Sequence, residues 1–221
     1  MEKIAKKVTL AEQAYEYIKK LIMIGELKPG DELPEEKLAM ELGISRTPLR
    51  EALKRLAGDA LIELKQPRPA VVADFTQQDV EEIMELRRLL EIYGLQEWPI
   101  ADQERVIGEM KQNVDLQWQA IQEKDFVRFM DLDQEFHSLL CSNHRNRRLK
   151  DIIRGINTGG SRAFMLVSDT IAGSSEKAYA EHLAIIEAIE QGNFQEAKQQ
   201  LAIHLNNIEY RLLKYITRED L

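Results

Sequence analysis

Between residues 10 and 24 the apolar side chains Ala14, Ile18, Leu21 and Ile22 return at helical spacing, which predicts a first amphipathic helix. Gly25 and the run Lys28-Pro29-Gly30-Asp31 end it and turn the chain. A second short helix is expected over 35–42, entered at Leu33-Pro34, with Leu38, Ala39 and Leu42 inward and Gly43 as its terminator. Ser45 is placed to cap a third helix over 46–57, its hydroxyl accepting from an amide of the first turn. Pro48 is tolerated there because first-turn amides lack intrahelical partners. Residues 61–65 then read as a strand, Gln66-Pro67-Arg68-Pro69 as a turn, and residues 70–73 as a returning strand.

From Thr76 the period stays helical. Six helices are expected, over 77–96, 101–122, 124–142, 146–167, 175–191 and 193–216. Pro99, Gly159-Gly160, Gly173-Ser174-Ser175 and Gly192-Asn193 mark breaks, and Asp125, Ser175 and Asn193 are caps. The pattern predicts a mainly α protein in two parts. A winged helix-turn-helix spans 1–75, and an antiparallel all-α helical bundle spans 76–221.

The third helix has two faces. Leu49, Ala52, Leu53 and Leu56 form the apolar one, while Arg46, Thr47, Arg50 and Lys54 lie on or near the other. Arginines at the start of such a helix can bond bidentately to guanine, and Ser45 and Thr47 suit phosphate oxygens. Arg68, at the tip of the hairpin, could enter a minor groove. The alternative is a solvent loop with one arginine.

Charge sharpens this picture. The 221 residues carry a net charge of −8, which by itself argues against nucleic acid. Residues 1–74, however, hold 13 basic and 13 acidic side chains, so the whole excess lies in the helical part. Within 44–68 six basic residues face three acidic ones. An acidic bulk set apart from a locally basic patch fits a DNA reader joined to a sensory domain. The first twenty residues hold Lys3, Lys6, Lys7 and Glu12 and no unbroken apolar core, so no signal peptide is expected. No stretch approaches the ~18 apolar residues of a membrane span. Cys141, the single cysteine, fits a reducing cytoplasm.

Three of the four histidines stand on apolar stripes. His182 continues Ala178, Ile185, Ile186 and Ile189. His204 continues Ala197, Leu201, Ile208 and Leu212. His137 borders Phe129, Leu132, Phe136 and Leu140, with Asp133 one turn before it on the same face. These four could converge from three helices, as hydrogen-bonded core groups or as ligands of a divalent transition metal such as zinc, nickel or manganese. His144, in the polar run 143–148, reads as surface. Arg87 falls on the inward stripe of Val80, Ile83, Met84 and Leu90, and a buried guanidinium needs an anion. Glu91, four residues on, can supply it; so can a carboxylate effector. Arg162 is a weaker candidate of the same type.

The run from Leu27 to Leu33, and above all Ser45-Arg46-Thr47-Pro48-Leu49-Arg50-Glu51-Ala52-Leu53, resembles the GntR family of bacterial regulators. In that family the positions matching Ser45, Arg46, Thr47 and Arg50 touch DNA. This chain departs from the family at Ala60, where members usually have glycine, and at the Pro69-Ala70 wing tip, where a glycine lets backbone approach the groove. Glu85-Leu86-Arg87, Asp133 with His137, Asn146 with Leu149, Glu181-His182 and Ala197 with His204 resemble the helical FCD sensory domain of the FadR-type branch. In metal-binding members the ligands match Asp133, His137, His182 and His204. The resemblance implies a cytoplasmic homodimeric repressor on a palindromic double-stranded operator, with a small carboxylate effector bound near the metal and an arginine. Two other readings compete: a regulator sensing the metal itself, and a metal-dependent hydrolase, which lacks an evident general base.

Overall fold

The computed structural model describes residues 8–65, 67–74, 76–165 and 168–219. The chain divides into two compact units, Met1–Asp74 and Phe75–Leu221.

In the first unit α1 (Leu10–Met23), α2 (Glu35–Glu41) and α3 (Arg46–Gly58) pack with three short strands, β1 (Glu32–Leu33), β2 (Ile62–Glu63) and β3 (Ala70–Val72). Thr9 caps α1, its hydroxyl accepting from the Glu12 amide. Ile18, Leu49, Ala52 and Leu56 are fully buried and join α1 to α3. Tyr15 donates to Asp59 Oδ2 at 2.5 Å, and Arg55 lies over the Tyr15 ring at 4.1 Å while pairing with Glu12. The antiparallel sheet runs β1-β3-β2, with Leu33 opposite Ala70 and Ile62 opposite Val72. Strand β1 was not expected. Two residues are too few to show a period of two, and only pairing with β3 makes Glu32–Leu33 a strand. The wing strands are also shorter than the apolar run suggests, because the Leu61 amide is taken by Leu56 O at the end of α3.

Ser45 occupies the N-cap of α3, but its hydroxyl makes no capping hydrogen bond. The reason lies in the sequence. An N-cap side chain bonds the second or third helical amide, and the third position here is Pro48, which has no N–H.

Among the described residues the second unit is built from helices: α4 (Gln77–Gly94), α5 (Ile100–Gln122), α6 (Phe126–Leu140), α7 (Arg147–Met165), α8 (Ser168–Glu190) and α9 (Phe194–Glu219). Thr76 and Asp79 form a reciprocal capping box at α4. Asp125 caps α6 and Asn193 caps α9. Helix α4 packs on α7 and α9, α5 on α6 and α8, and α8 on α9. Two expected breaks do not occur. Helix α7 runs through Gly159-Gly160, and α8 runs through Gly173-Ser174-Ser175, so Ser175 is interior rather than a cap. A mid-helix glycine costs only about 1 kcal/mol relative to alanine, and Ser174 and Ser175 are both buried by packing. Arg162 lies in α7, but its side chain is outside the described residues.

Candidate metal centre and nucleic-acid interface

Helix α6 presents Asp133 and His137 one turn apart, and α8 and α9 bring His182 and His204 to the same point. One ligand atom from each of the four lies within 4.8 Å of all the others. The three imidazoles are fully buried. His204 Nε2 stands 3.2 Å from both His182 Nε2 and His137 Nε2. Asp133 Oδ1 is 3.5 Å from His182 Nε2, and Oδ2 is 3.9 Å from His137 Nε2.

The far nitrogen of each ring fixes its tautomer. His137 Nδ1 meets Glu91 Oε2 at 2.7 Å, and His204 Nδ1 meets Glu181 Oε2 at 2.6 Å. Burial pushes both carboxyls up, yet Arg87 and His137 outweigh it at Glu91, and His204 and Arg211 outweigh it at Glu181. Each is held down at about 2. Both carboxylates therefore accept, and both Nδ1 atoms donate. His182 Nδ1 meets Gln117 Oε1 at 2.9 Å, while Gln117 Nε2 donates to Asn113 Oδ1 at 2.7 Å. Gln117 oxygen thus also accepts.

The Nε2 atoms of His182 and His204 then face each other as bare lone pairs, with no proton to share. Burial first, then neighbouring charge, holds His182 well below the ordinary imidazole range. Burial also draws His204 down to about 4, against the pull of Glu181. Neutral imidazoles cannot hydrogen-bond to one another through two lone pairs. Asp133 Oδ1 is likewise buried without a hydrogen-bond partner. Two nitrogens at ~2.0–2.1 Å from one zinc stand roughly 3.3 Å apart in a tetrahedron, and the observed separation is 3.2 Å. The donor set fits a divalent cation, and Glu91, Gln117 and Glu181 supply the outer hydrogen bonds that aim such ligands.

Arg87 is buried beside this cluster in α4 and donates through Nε to Glu91 Oε1 at 2.7 Å. Its Nη2 is buried with no hydrogen-bond partner. The ion pair read from the i,i+4 spacing is therefore present, and an unsatisfied donor remains for an anion.

Reasoning from sequence missed Gln117, Asn113, Glu181, Asn207 and Arg211. Gln117 had a signal: it interrupts the apolar stripe Val106, Met110, Val114 and Ile121 of α5. Glu181 accepts from Asn207 at 2.8 Å and from both Arg211 Nη atoms at 2.9 and 3.1 Å, pairings that periodicity does not carry. His144 corrects the surface reading. It is only 5% exposed, its Nδ1 accepts from the Asn146 amide, and its ring lies 5.4 Å from that of Tyr93. The polar run around it turns the chain between α6 and α7 and tucks this one ring inward.

In the first unit the outward face of α3 carries Arg46, Arg50 and Lys54 at successive four-residue steps, all exposed, with Ser45 and Thr47 exposed at its start. The uncapped first turn and the two hydroxyls form an anion-receptive end. Arg46 and Arg50 are paired with Glu36 and Glu35 of α2. Arg68 is exposed between β2 and β3.

Residues 10–72 match the model of the bacterial regulatory proteins of the gntR family, and residues 82–207 match the FCD domain. The HTH-type transcriptional regulator YdhC of Bacillus subtilis (strain 168) is 30% identical over 94% of this chain and 92% of its own. The HTH-type transcriptional repressor RspR of Escherichia coli (strain K12) is 24% identical over 89% of this chain and 86% of its own. Among solved structures, a putative GntR transcriptional regulator from Rhodococcus sp. RHA1 superposes with a TM-score of 0.75 at 25% identity, covering 92% of this chain and 97% of that one. The four converging residues lie inside the FCD match and the α3 arginines inside the gntR match. The chain belongs to the gntR family of DNA-binding transcriptional regulators, with an FCD domain behind its helix-turn-helix, and is not an enzyme.

Proposed function

We propose that this regulator is a cytoplasmic homodimeric repressor whose affinity for a palindromic operator is set by a small carboxylate bound beside a divalent metal. Asp133, His137, His182 and His204 would hold the ion, for which their donor types suit zinc, nickel or manganese. When bound, it supplies a Lewis-acidic anchor for a carboxylate oxygen. Arg87 offers its unpartnered Nη2 to the same anion, while Glu91 fixes the guanidinium and His137 together. Ser45, Arg46, Thr47, Arg50 and Lys54 would meet the major groove and its phosphates, and Arg68 the minor groove. Two recognition helices must sit about one DNA turn apart to read both half-sites. An effector changes operator affinity only by binding one arrangement of the dimer better than the other. RspR is a repressor by name, which supports that sign of control.

The observation that carries the proposal is the set of three buried Nε2 atoms turned on one another beside an unsatisfied arginine donor. Burial of every imidazole favours a resident ion over one that comes and goes as the signal. Native mass spectrometry of protein purified without chelator tests it. The expected species is a dimer with two metal ions, and the His182→Ala variant is expected to lose them while remaining dimeric. A metal-free wild-type dimer that takes up no zinc, nickel or manganese would reduce the four residues to core packing.

A further inference from the structure

The two arginines that open α3 are already engaged by acids of α2. Arg46 Nη2 donates to Glu36 Oε1 at 2.6 Å, and Arg50 Nε donates to Glu35 Oε2 at 2.7 Å. Both pairs are open to solvent, with Glu36 at 85% side-chain exposure and Arg50 at 59%. Exposed pairs of this kind contribute little to stability, so holding the fold together does not account for them. A carboxylate in the first turn of α2 complements that helix dipole without any arginine laid across it.

The pairs change what α3 offers to DNA. Of the three cations on its outward face, two are neutralised in place and only Lys54 is not held by these acids. Phosphate is an anion much like the carboxylate it would displace. Exchanging one for the other gains little and leaves a bare carboxylate facing a polyanion. A guanine edge differs, because it presents two coplanar acceptors. Each guanidinium has five N–H groups, and each pair occupies only one of them, Nη2 of Arg46 and Nε of Arg50. The remaining edge can read a base while the carboxylate stays bound.

We infer that Glu35 and Glu36 are specificity-determining residues, which cancel Arg46 and Arg50 toward the phosphate backbone while leaving a guanidinium edge for base readout. The inference rests on α3 being the helix that meets DNA. It is tested with full-length protein by fluorescence anisotropy on two duplexes, one of random sequence and one selected from a random pool by the wild-type chain. Glu35→Gln and Glu36→Gln are expected to bind the random duplex more tightly and to lower the ratio of selected to random affinity. The slope of log affinity against log salt should steepen by about 0.9 for each phosphate contact restored. Glu41→Gln, which removes one charge from the far end of α2, is expected to keep the wild-type slope. Weaker binding to both duplexes, unchanged binding, or an equal effect of Glu41→Gln overturns the inference and leaves the DNA-reading assignment standing. A wild-type chain that binds neither duplex overturns both.

Discussion

Ala60 sits at φ +56°, in the left-handed region that a side chain enters at a cost of about 1–2 kcal/mol. It does so to close α3: its amide bonds Ala57 O, and the Leu61 amide reaches back to Leu56 O. Gly43 and Gly192 make the same reversal after α2 and α8 with no Cβ to strain, and Lys124 repeats the strained version after α5. Ala60→Gly should therefore stabilise the protein by about 0.5–1 kcal/mol, the relief of strain being partly offset by the greater freedom of glycine when unfolded. A urea titration of the full chain reads this as a higher midpoint, and an unchanged or lower midpoint contradicts it. Other single residues were legible for an equally local reason. An imidazole on an apolar stripe must be explained, so His137, His182 and His204 stood out. Their outer partners did not, because Glu91, Gln117 and Glu181 lie 46, 65 and 23 residues away in sequence from the rings they hold. Helical periodicity says which face a residue occupies and nothing about which helix will face it.

Between elements, Gly94 lets α4 close onto the end of α6. A Cβ built on Gly94 would stand 2.5 Å from Cys141 Sγ and 3.3 Å from Ile153 Cδ1. Gly94 lies three residues after Glu91, and Cys141 four residues after His137, so this contact sets the spacing across which Glu91 bonds His137 at 2.7 Å. Gly94→Ala should cost about 1–3 kcal/mol by overpacking and should also weaken retention of metal, since α4 must move away from α6. Adding Cys141→Ala removes the 2.5 Å contact and should restore part of both losses. Thermal melts and metal content of the four proteins form the test, and strictly additive effects would sink the argument. At this scale the amphipathic helices were plain in the sequence, because each buries one continuous apolar face. What failed were the short signals. Gly173-Ser174-Ser175 looks like a break but lies within α8, and Glu32–Leu33 is a strand only because β3 lies beside it.

At the scale of the whole molecule, the two units divide the chemistry as they divide the charge, and the helical unit gathers buried acids and imidazoles whose protonation folding changes. The ordinary imidazole value is 6.5, while His204 is drawn down to about 4 and His182 well below 6.5. As pH falls from 6.5 toward 4, the unfolded chain takes up protons on these rings and the folded chain does not. Stability must then fall with falling pH across that window and stay level, for these groups, above it. Glu91 and Glu181 add a second and lower window. Their ordinary value is 4.5 and their folded value about 2, so their contribution is complete above 4.5 and is lost as pH falls toward 2. A metal bound at these rings would strengthen the upper window, because it competes with protons for the same Nε2 lone pairs and leaves as they are taken. The melting temperature, followed by circular dichroism with and without zinc, should thus decline below roughly pH 6.5, more steeply for the loaded protein, and the two curves should merge once the rings are protonated. Parallel curves that never merge would place the bound zinc somewhere other than these imidazoles. A metal-free curve that stays flat from about pH 7 to 5 would mean that folded His182 and His204 carry protons, and the facing lone pairs behind the proposed metal centre would not exist.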